Sequence, residues 1–322
     1  MKKNRILILL AVCFASFTAK PQDNFHGYGF QSIVTLNPAA AGSEGDGTLR
    51  MMYIMHYPER NMDLHFLSVS YDTYIPLFHG GIAGFVTDNY LGGVLNNLSG
   101  GFSYSYHLQA GRNLFVNAGL SAAFRHRGIN ASKVILPDQI DPLRGPVLPS
   151  GETINNRGRT IFDVGTGFMI MWGDFTSGVS VNHLSKPDIG WNGASEDQLP
   201  WHITLFAMKV FNLSRKNELS LQPVFLFDFC GDELNVASGA TLGNEKFAVS
   251  SLLSYSGNGD INLQPGFSLR FSGSLLFYNY CFNLTSENGM LPFTMYHQAG
   301  LSLSLNNVDK RKVIKAIKFP NL

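Results

Sequence analysis

Apolar and polar residues alternate strictly through the last part of the chain. From Ile261 to Phe271 one set is Ile261, Leu263, Pro265, Phe267, Leu269 and Phe271; the other is Asn262, Gln264, Gly266, Ser268 and Arg270. After a Ser272-Gly273 turn the pattern resumes with Leu276, Tyr278, Tyr280, Phe282 and Leu284 against Asn279, Cys281 and Asn283. It returns with His297, Ala299, Leu301 and Leu303 against Gln298, Gly300, Ser302 and Ser304. Side chains on a strand point to opposite faces with period two, so each segment carries one greasy and one polar face. A soluble sheet can also alternate in this way, with its apolar face on a core. Lengths of about ten residues and aromatic strand ends instead match strands that cross a bilayer in a closed barrel.

The same reading predicts strands at 48–56, 64–75 and 78–88, a fourth through Leu98 and Tyr106, and a fifth at 114–125. Further strands are predicted at 160–172, 175–184, 201–213, 218–230, 234–242 and 247–255, for about fourteen in all. With the N-terminus in the periplasm, the short turns (76–77, 108–112, 173–174, 214–217, 243–246, 272–273) all fall on one side. The long connections (57–63, 89–96, 128–159, 185–200, 285–294) fall on the other. Outer-membrane barrels show this asymmetry. The fold expected is therefore all-β, a transmembrane antiparallel barrel of about fourteen strands with short periplasmic turns and long extracellular loops.

Composition agrees. Charged residues are only 15% while aromatics reach 12%, with 33 Gly and 25 Phe in 322 residues. A net charge of +1 implies no nucleic-acid partner. Lys2, Lys3 and Arg5 followed by apolar Ile6 to Phe17 read as a signal peptide over 1–19, with cleavage near Ala15 or Ala19. Leu10-Ala11-Val12-Cys13 is a poor lipoprotein box because of Val12. Cys230 and Cys281 lie on strands far apart and are expected as free thiols. No nucleophile elbow, phosphate loop, His-x-x-x-His or Cys-x-x-Cys spacing is present, so neither an enzyme nor a cofactor is expected. His56, His107 and His202 sit near predicted strand ends, where interfacial or loop contacts are the simplest reading.

Three groups remain as candidates. Asp72, Arg125, Asp163, Lys209, Asp228 and Arg270 are assigned to the inward faces. They either line a solute path or pair across a filled lumen. Residues 20–47 form a periplasmic lead-in before the barrel of 48–305, and in it Asn37, Pro38 and Gly42 are either a partner-docking element or the turn that starts the first strand. The tail 306–322 carries Lys310, Arg311, Lys312, Lys315 and Lys318, with Val313, Ile314 and Ile317 at helical spacing. It reads either as a solvated periplasmic end or as a contact for anionic headgroups or a periplasmic protein.

Several short motifs occur in an order that resembles the PorP/SprF family of outer-membrane proteins of type IX secretion. They are Asn37-Pro38-Ala39-Ala40-Ala41-Gly42, Asp88 with Gly92-Gly93, Gly178-Val179-Ser180-Val181-Asn182-His183-Leu184, Leu199-Pro200-Trp201-His202, and the closing Tyr278-Asn279-Tyr280 and His297-Gln298-Ala299-Gly300. Departures from the family pattern stand at Ala40, at Arg50-Met51-Met52-Tyr53 and at Gln298. The resemblance implies an integral outer-membrane protein in contact with outer-membrane lipids. It further implies docking of periplasmic type IX ring proteins or of an exported adhesin. A different class, an outer-membrane channel or transporter for small solutes, is the alternative.

Overall fold

A computed structural model describes residues 30–56, 64–141, 143–151, 157–190, 198–214, 218–257, 259–285, 295–309 and 313–320. The predicted signal peptide and the basic residues Lys310, Arg311 and Lys312 lie outside the described residues. The wall is built by β1 (Thr48–His56), β2 (Leu64–Ile75), β3 (Gly80–Leu91), β4 (Leu95–Gln109), β5 (Leu114–Ile129), β6 (Arg157–Trp172) and β7 (Phe175–Asn182). It continues with β8 (His202–Lys209 and Phe211–Ser214), β9 (Leu219–Cys230), β10 (Glu233–Gly243), β11 (Phe247–Ser256), β12 (Ile261–Phe271), β13 (Ser274–Asn283) and β14 (Tyr296–Ser304). Both pieces of β8 pair with β9 in one register across Val210, Met208 opposite Val224 and Phe211 opposite Leu221. They are therefore one strand, and the strands number fourteen. Every neighbour pair is antiparallel, and β1 closes on β14 from Thr48↔Ser304 to His56↔Tyr296. Closure leaves no edge of unpaired backbone to face lipid.

The alternating pattern sorts as expected. Phe102, Leu120, Phe162 and Phe225 are exposed on the outside, the face that lipid covers, whereas Ser103, Ser105, Asn117, Gln264 and Gln298 are buried inside. The lumen is nonetheless not uniformly polar. Inward Met169, Met171, Phe206, Met208, Val224 and Leu226 form an apolar cluster, and the chain fills it from both termini. The N-terminal segment enters as a 3-10 turn (Phe30–Ser32), one helical turn α1 (Ile33–Leu36) and a second 3-10 turn (Pro38–Ala40). Phe30, Ile33, Val34 and Ala39 to Ala41 pack on the cluster from within, Phe30 standing edge-on to Phe206 at 5.6 Å. From the other terminus Ile317 and Phe319 join the same cluster. The tail is tied to the lead-in by Ile317 N–H donating to Ser43 O (2.9 Å).

Five expectations change. The described part of the lead-in is a plug within the barrel, not a periplasmic segment, because its apolar residues find a matching apolar lumen. The tail 313–320 is not a free solvated end: it crosses the short-turn mouth, with Lys315 Nζ donating to Gly173 O (2.7 Å) and Gln222 Nε2 to Lys318 O (3.2 Å). Lys209 faces outward with Leu205, its ammonium over the Phe211 ring at 4.8 Å. Apolar residues occupy both faces of β8, so its period hid which side was inside. Arg270 keeps the inward parity but is exposed at the strand end rather than within the lumen. The predicted long connection 89–96 also shrinks to 92–94, as β3 and β4 run on past it and β4 to β6 reach 15 or 16 residues.

Phe225→Arg, mid-strand on the lipid face, should cost roughly 2–4 kcal/mol of folding stability in bilayers. Gln222→Arg, inward near the mouth, should cost much less. Equal losses by denaturant titration in vesicles would reverse the assignment of faces.

Candidate functional site

A plug made of short turns leaves many backbone groups without helical or ladder partners, and burial makes each of them expensive unless paired. The inward polar residues supply those partners. Asn37, fully buried, accepts from Ala39 N–H through Oδ1 (2.9 Å) and donates through Nδ2 to Phe168 O (3.3 Å) and Val179 O (3.2 Å). It thus caps the second 3-10 turn and fastens it to β6 and β7. Pro38 follows at the first position of that turn, where its missing N–H costs nothing. Ser180 Oγ donates to Leu36 O (2.7 Å) and Ser105 Oγ to Ala39 O (2.8 Å). Asn117 Nδ2 reaches Ala39 O (3.3 Å) and Ser43 Oγ (3.2 Å), and His107 Nε2 meets Ala41 O at 3.1 Å.

The seat exists because β5 and β6 lack side chains beneath it. A Cβ on Gly167 would overlap Asn37 Oδ1, and one on Gly119 would overlap the Ala39 backbone. Gly42 leaves the plug at φ +68, where its own Cβ would stand 2.7 Å from Gly81 Cα. Its N–H donates to Asp72 Oδ2 (2.8 Å). The other Asp72 oxygen pairs with Arg50, which also meets Glu44 at 2.9 Å. Asp72 is therefore a lumen charge of the paired kind. Arg50 went unassigned in the sequence, although the hairpin register places it diagonally from Asp72 on the inward face. At the mouth Asp46 accepts from Ser304 Oγ (2.5 Å) and from the N–H groups of Gly47, Asn306 and Asn307. Burial acts to raise its pKa, but these donors outweigh it and hold the carboxyl below its ordinary value.

The remaining candidates separate by position. Asp163 and Asp228 sit in the long-loop half, each paired with a histidine: Asp163 with His183 and Asp228 with His202, both at 2.5 Å. The two imidazoles stack at 6.2 Å. His56, His107 and His202 thus act inside the barrel rather than in loops, His56 with its ring 5.5 Å from that of Tyr296. Above α1 lies a cavity of about 260 Å³ whose wall includes Arg125, Arg127, Arg159, Asp163 and His183. Lys315 is drawn onto the mouth, over the Phe115 ring at 5.4 Å, while Lys318 remains exposed beside Glu245 at 3.7 Å. Cys230 and Cys281 are not joined in a disulfide.

Comparison with known proteins matches residues 18–289 to the family described as type IX secretion system membrane protein PorP/SprF. No curated protein matches the sequence. Among solved structures, the toluene transporter TbuX of Ralstonia pickettii superposes with TM-score 0.51 at 13% identity, over 85% of this chain and 92% of that one. The monoaromatic hydrocarbon channel CymD gives TM-score 0.50 at 14% identity, over 87% and 95%. At such identity the likeness is one of fold.

Gly167→Val should evict the plug: bilayer recordings should show an open pore absent from the parent protein, with heat-resistant barrel mobility on gels retained. A variant that stays closed would detach the glycine seat from plugging. The depressed Asp46 carboxyl adds stability above its unfolded-state pKa, and that stability is lost as pH falls through the lower folded-state value. The unfolding temperature should therefore drop through the acidic carboxylate range, and more steeply in the parent than in Asp46→Asn.

Proposed function

The chain belongs to the PorP/SprF family of type IX secretion system membrane proteins, and we propose that it works there as a plugged, non-enzymatic barrel that docks other components of the system. The observation carrying this reading is the double occupation of the lumen. The N-terminal plug and the C-terminal tail share one apolar cluster with the wall, so a continuous path for solutes is replaced by packed side chains. A barrel filled in this way has its ends, not its bore, to offer partners. At the short-turn end, which faces the periplasm in barrels of this class, the tail brings Lys318 to the surface, and the sequence adds Lys310, Arg311 and Lys312 just before it. This basic end suits an acidic face on a periplasmic ring protein. An exported adhesin is the other partner class, reached from the long-loop end. Asn37, Pro38 and Gly42 contribute to docking by holding the plug that the tail rests on, not by direct contact.

The channel reading keeps one point in its favour. The structures that share the fold at TM-scores of 0.50 and 0.51 are named as a toluene transporter and a hydrocarbon channel. Against it stands the plug, which transport would have to move.

Affinity capture of the full-length protein from outer membranes, with partners identified by mass, separates the two. Ring proteins should co-purify, and replacing Lys310, Arg311, Lys312 and Lys318 together with Gln should reduce their recovery several-fold without altering barrel mobility. Capture without any secretion component, together with steady conductance of the parent protein, would favour the channel.

A further inference from the structure

Where the barrel closes, the registers of β13, β14, β1, β2 and β3 lay out two rows of outward side chains at the long-loop end. The upper row runs Tyr280, His297, Met55, His65 and Tyr90; the lower runs Tyr278, Ala299, Tyr53, Leu67 and Asp88. Tyr53 and Leu67 are exposed at 42% and 46%, on the face that lipid covers. Aromatic residues at the rim of that face are usual in membrane barrels. Two histidines and a carboxylate among them are not explained by that rule.

The histidines are held alike. The Tyr53 hydroxyl lies 2.6 Å from His65 Nδ1, and the Tyr278 hydroxyl 2.5 Å from His297 Nδ1. With each hydroxyl donating, Nδ1 accepts and the ring proton sits on Nε2. Ring contacts fix both imidazoles: His65 stacks on Tyr53 at 5.7 Å and on Tyr90 at 6.3 Å, and His297 lies 4.8 Å from Tyr280. Among the described residues neither Nε2 has a hydrogen-bond partner. Asp88 joins the same face by its parity with exposed Ile82 and Val86. Its Oδ1 is buried without a hydrogen-bond partner, and neither row contains a lysine or arginine. A carboxylate so placed at the edge of hydrocarbon is costly until a cation meets it. The β2–β3 register sets it on the diagonal from His65, roughly 7–8 Å away.

We propose that this seam binds the headgroup of a phosphoethanolamine lipid. A phosphate oxygen accepts from His65 Nε2–H, and the ammonium at the other end of the headgroup donates to the Asp88 carboxylate. His297, two strands or roughly 10 Å along the rim, offers the same donor to the phosphate of an adjacent lipid. The acyl chains run down the wall, where small, exposed Ala299 between Tyr278 and Tyr53 leaves a groove. A lipid is the occupant, not a free solute, because both rows continue directly into the lipid-covered band. The site stands or falls independently of the docking role, since it uses neither the tail, the plug nor any secretion partner.

The full-length protein in detergent is mixed with phosphatidylethanolamine, phosphatidylcholine, phosphatidylglycerol or diacylglycerol, and retained lipid is counted by native mass spectrometry. Phosphatidylethanolamine should bind most. Phosphatidylcholine, whose quaternary nitrogen has no N–H, and phosphatidylglycerol, which has no ammonium, should bind roughly tenfold more weakly, the worth of one charge-assisted hydrogen bond. Diacylglycerol, lacking phosphate, should bind least. Asp88→Asn should bring phosphatidylethanolamine down to the level of phosphatidylglycerol. His65→Phe should weaken all three phospholipids, and His297→Phe should do so to a smaller extent. Heat-resistant mobility on gels reports the folding of each variant. Should Asp88→Asn fail to insert, the comparison of phosphatidylethanolamine with phosphatidylcholine on the parent protein decides alone. Equal retention of those two lipids, diacylglycerol binding as well as either, or a folded Asp88→Asn that keeps the preference would overturn the assignment.

Discussion

An irregular segment buried inside a closed barrel must find a partner for each of its backbone N–H and C=O groups, and the structure turns on how this chain meets that demand. The wall itself is self-sufficient, since closure from β1 to β14 pairs its ladders all round. The plug has only short 3-10 turns and one helical turn. Its carbonyls at Leu36, Ala39 and Ala41 are met by Ser180, Ser105, Asn117 and His107, and its N–H groups at Ala39 and Gly42 by Asn37 and Asp72. Each unmet group would cost about 1–3 kcal/mol, so the set together decides whether the plug stays seated.

Two consequences follow for the wall. Inward residues are chosen to fit the plug rather than to line water, which explains Met, Phe and Leu among them. Where the plug comes closest, with the Ala39 backbone at one point and the Asn37 side chain at another, the wall carries Gly119 and Gly167, since any side chain there would occupy the plug's place. The buried Arg50–Asp72 pair belongs to the same arrangement. Removing one partner of such a pair typically costs about 3–5 kcal/mol because the other is left charged and dry. Here it would also release the Gly42 N–H, coupling the electrostatics of the wall to the exit of the plug.

The barrel is therefore divided along its axis. The short-turn half is a packed interior shared by wall, plug and tail. The long-loop half holds a cavity with histidine–aspartate pairs on one side and arginines on another. Closure at one end with a chemically distinct chamber at the other suits a protein whose partners approach its mouths.

Period-two alternation in β9 and β12 to β14, together with strand length and aromatic ends, was enough to mark membrane-crossing strands and their outward faces. Lipid accepts only one kind of surface, and so that face is written plainly in the sequence. The motif order pointed to the family for the same reason: short motifs survive reading without knowledge of contacts. What faced inward was not legible in this way. An apolar inward residue such as Phe206 or Met208 looks like a lipid-facing one until something apolar is known to fill the bore, and this ambiguity sent Lys209 to the wrong side. Asn37 read either as a docking element or as the turn that starts the first strand, because Asn-Pro also opens turns. Its true partners, Phe168 O and Val179 O, lie more than 130 residues away in the chain. The tail's lysines suggested a solvated end, while Ile317 and Phe319 decided its place. Local pattern carries the wall because its environment is uniform. The plug and its seat depend on long-range contacts between segments that only the closed barrel brings together.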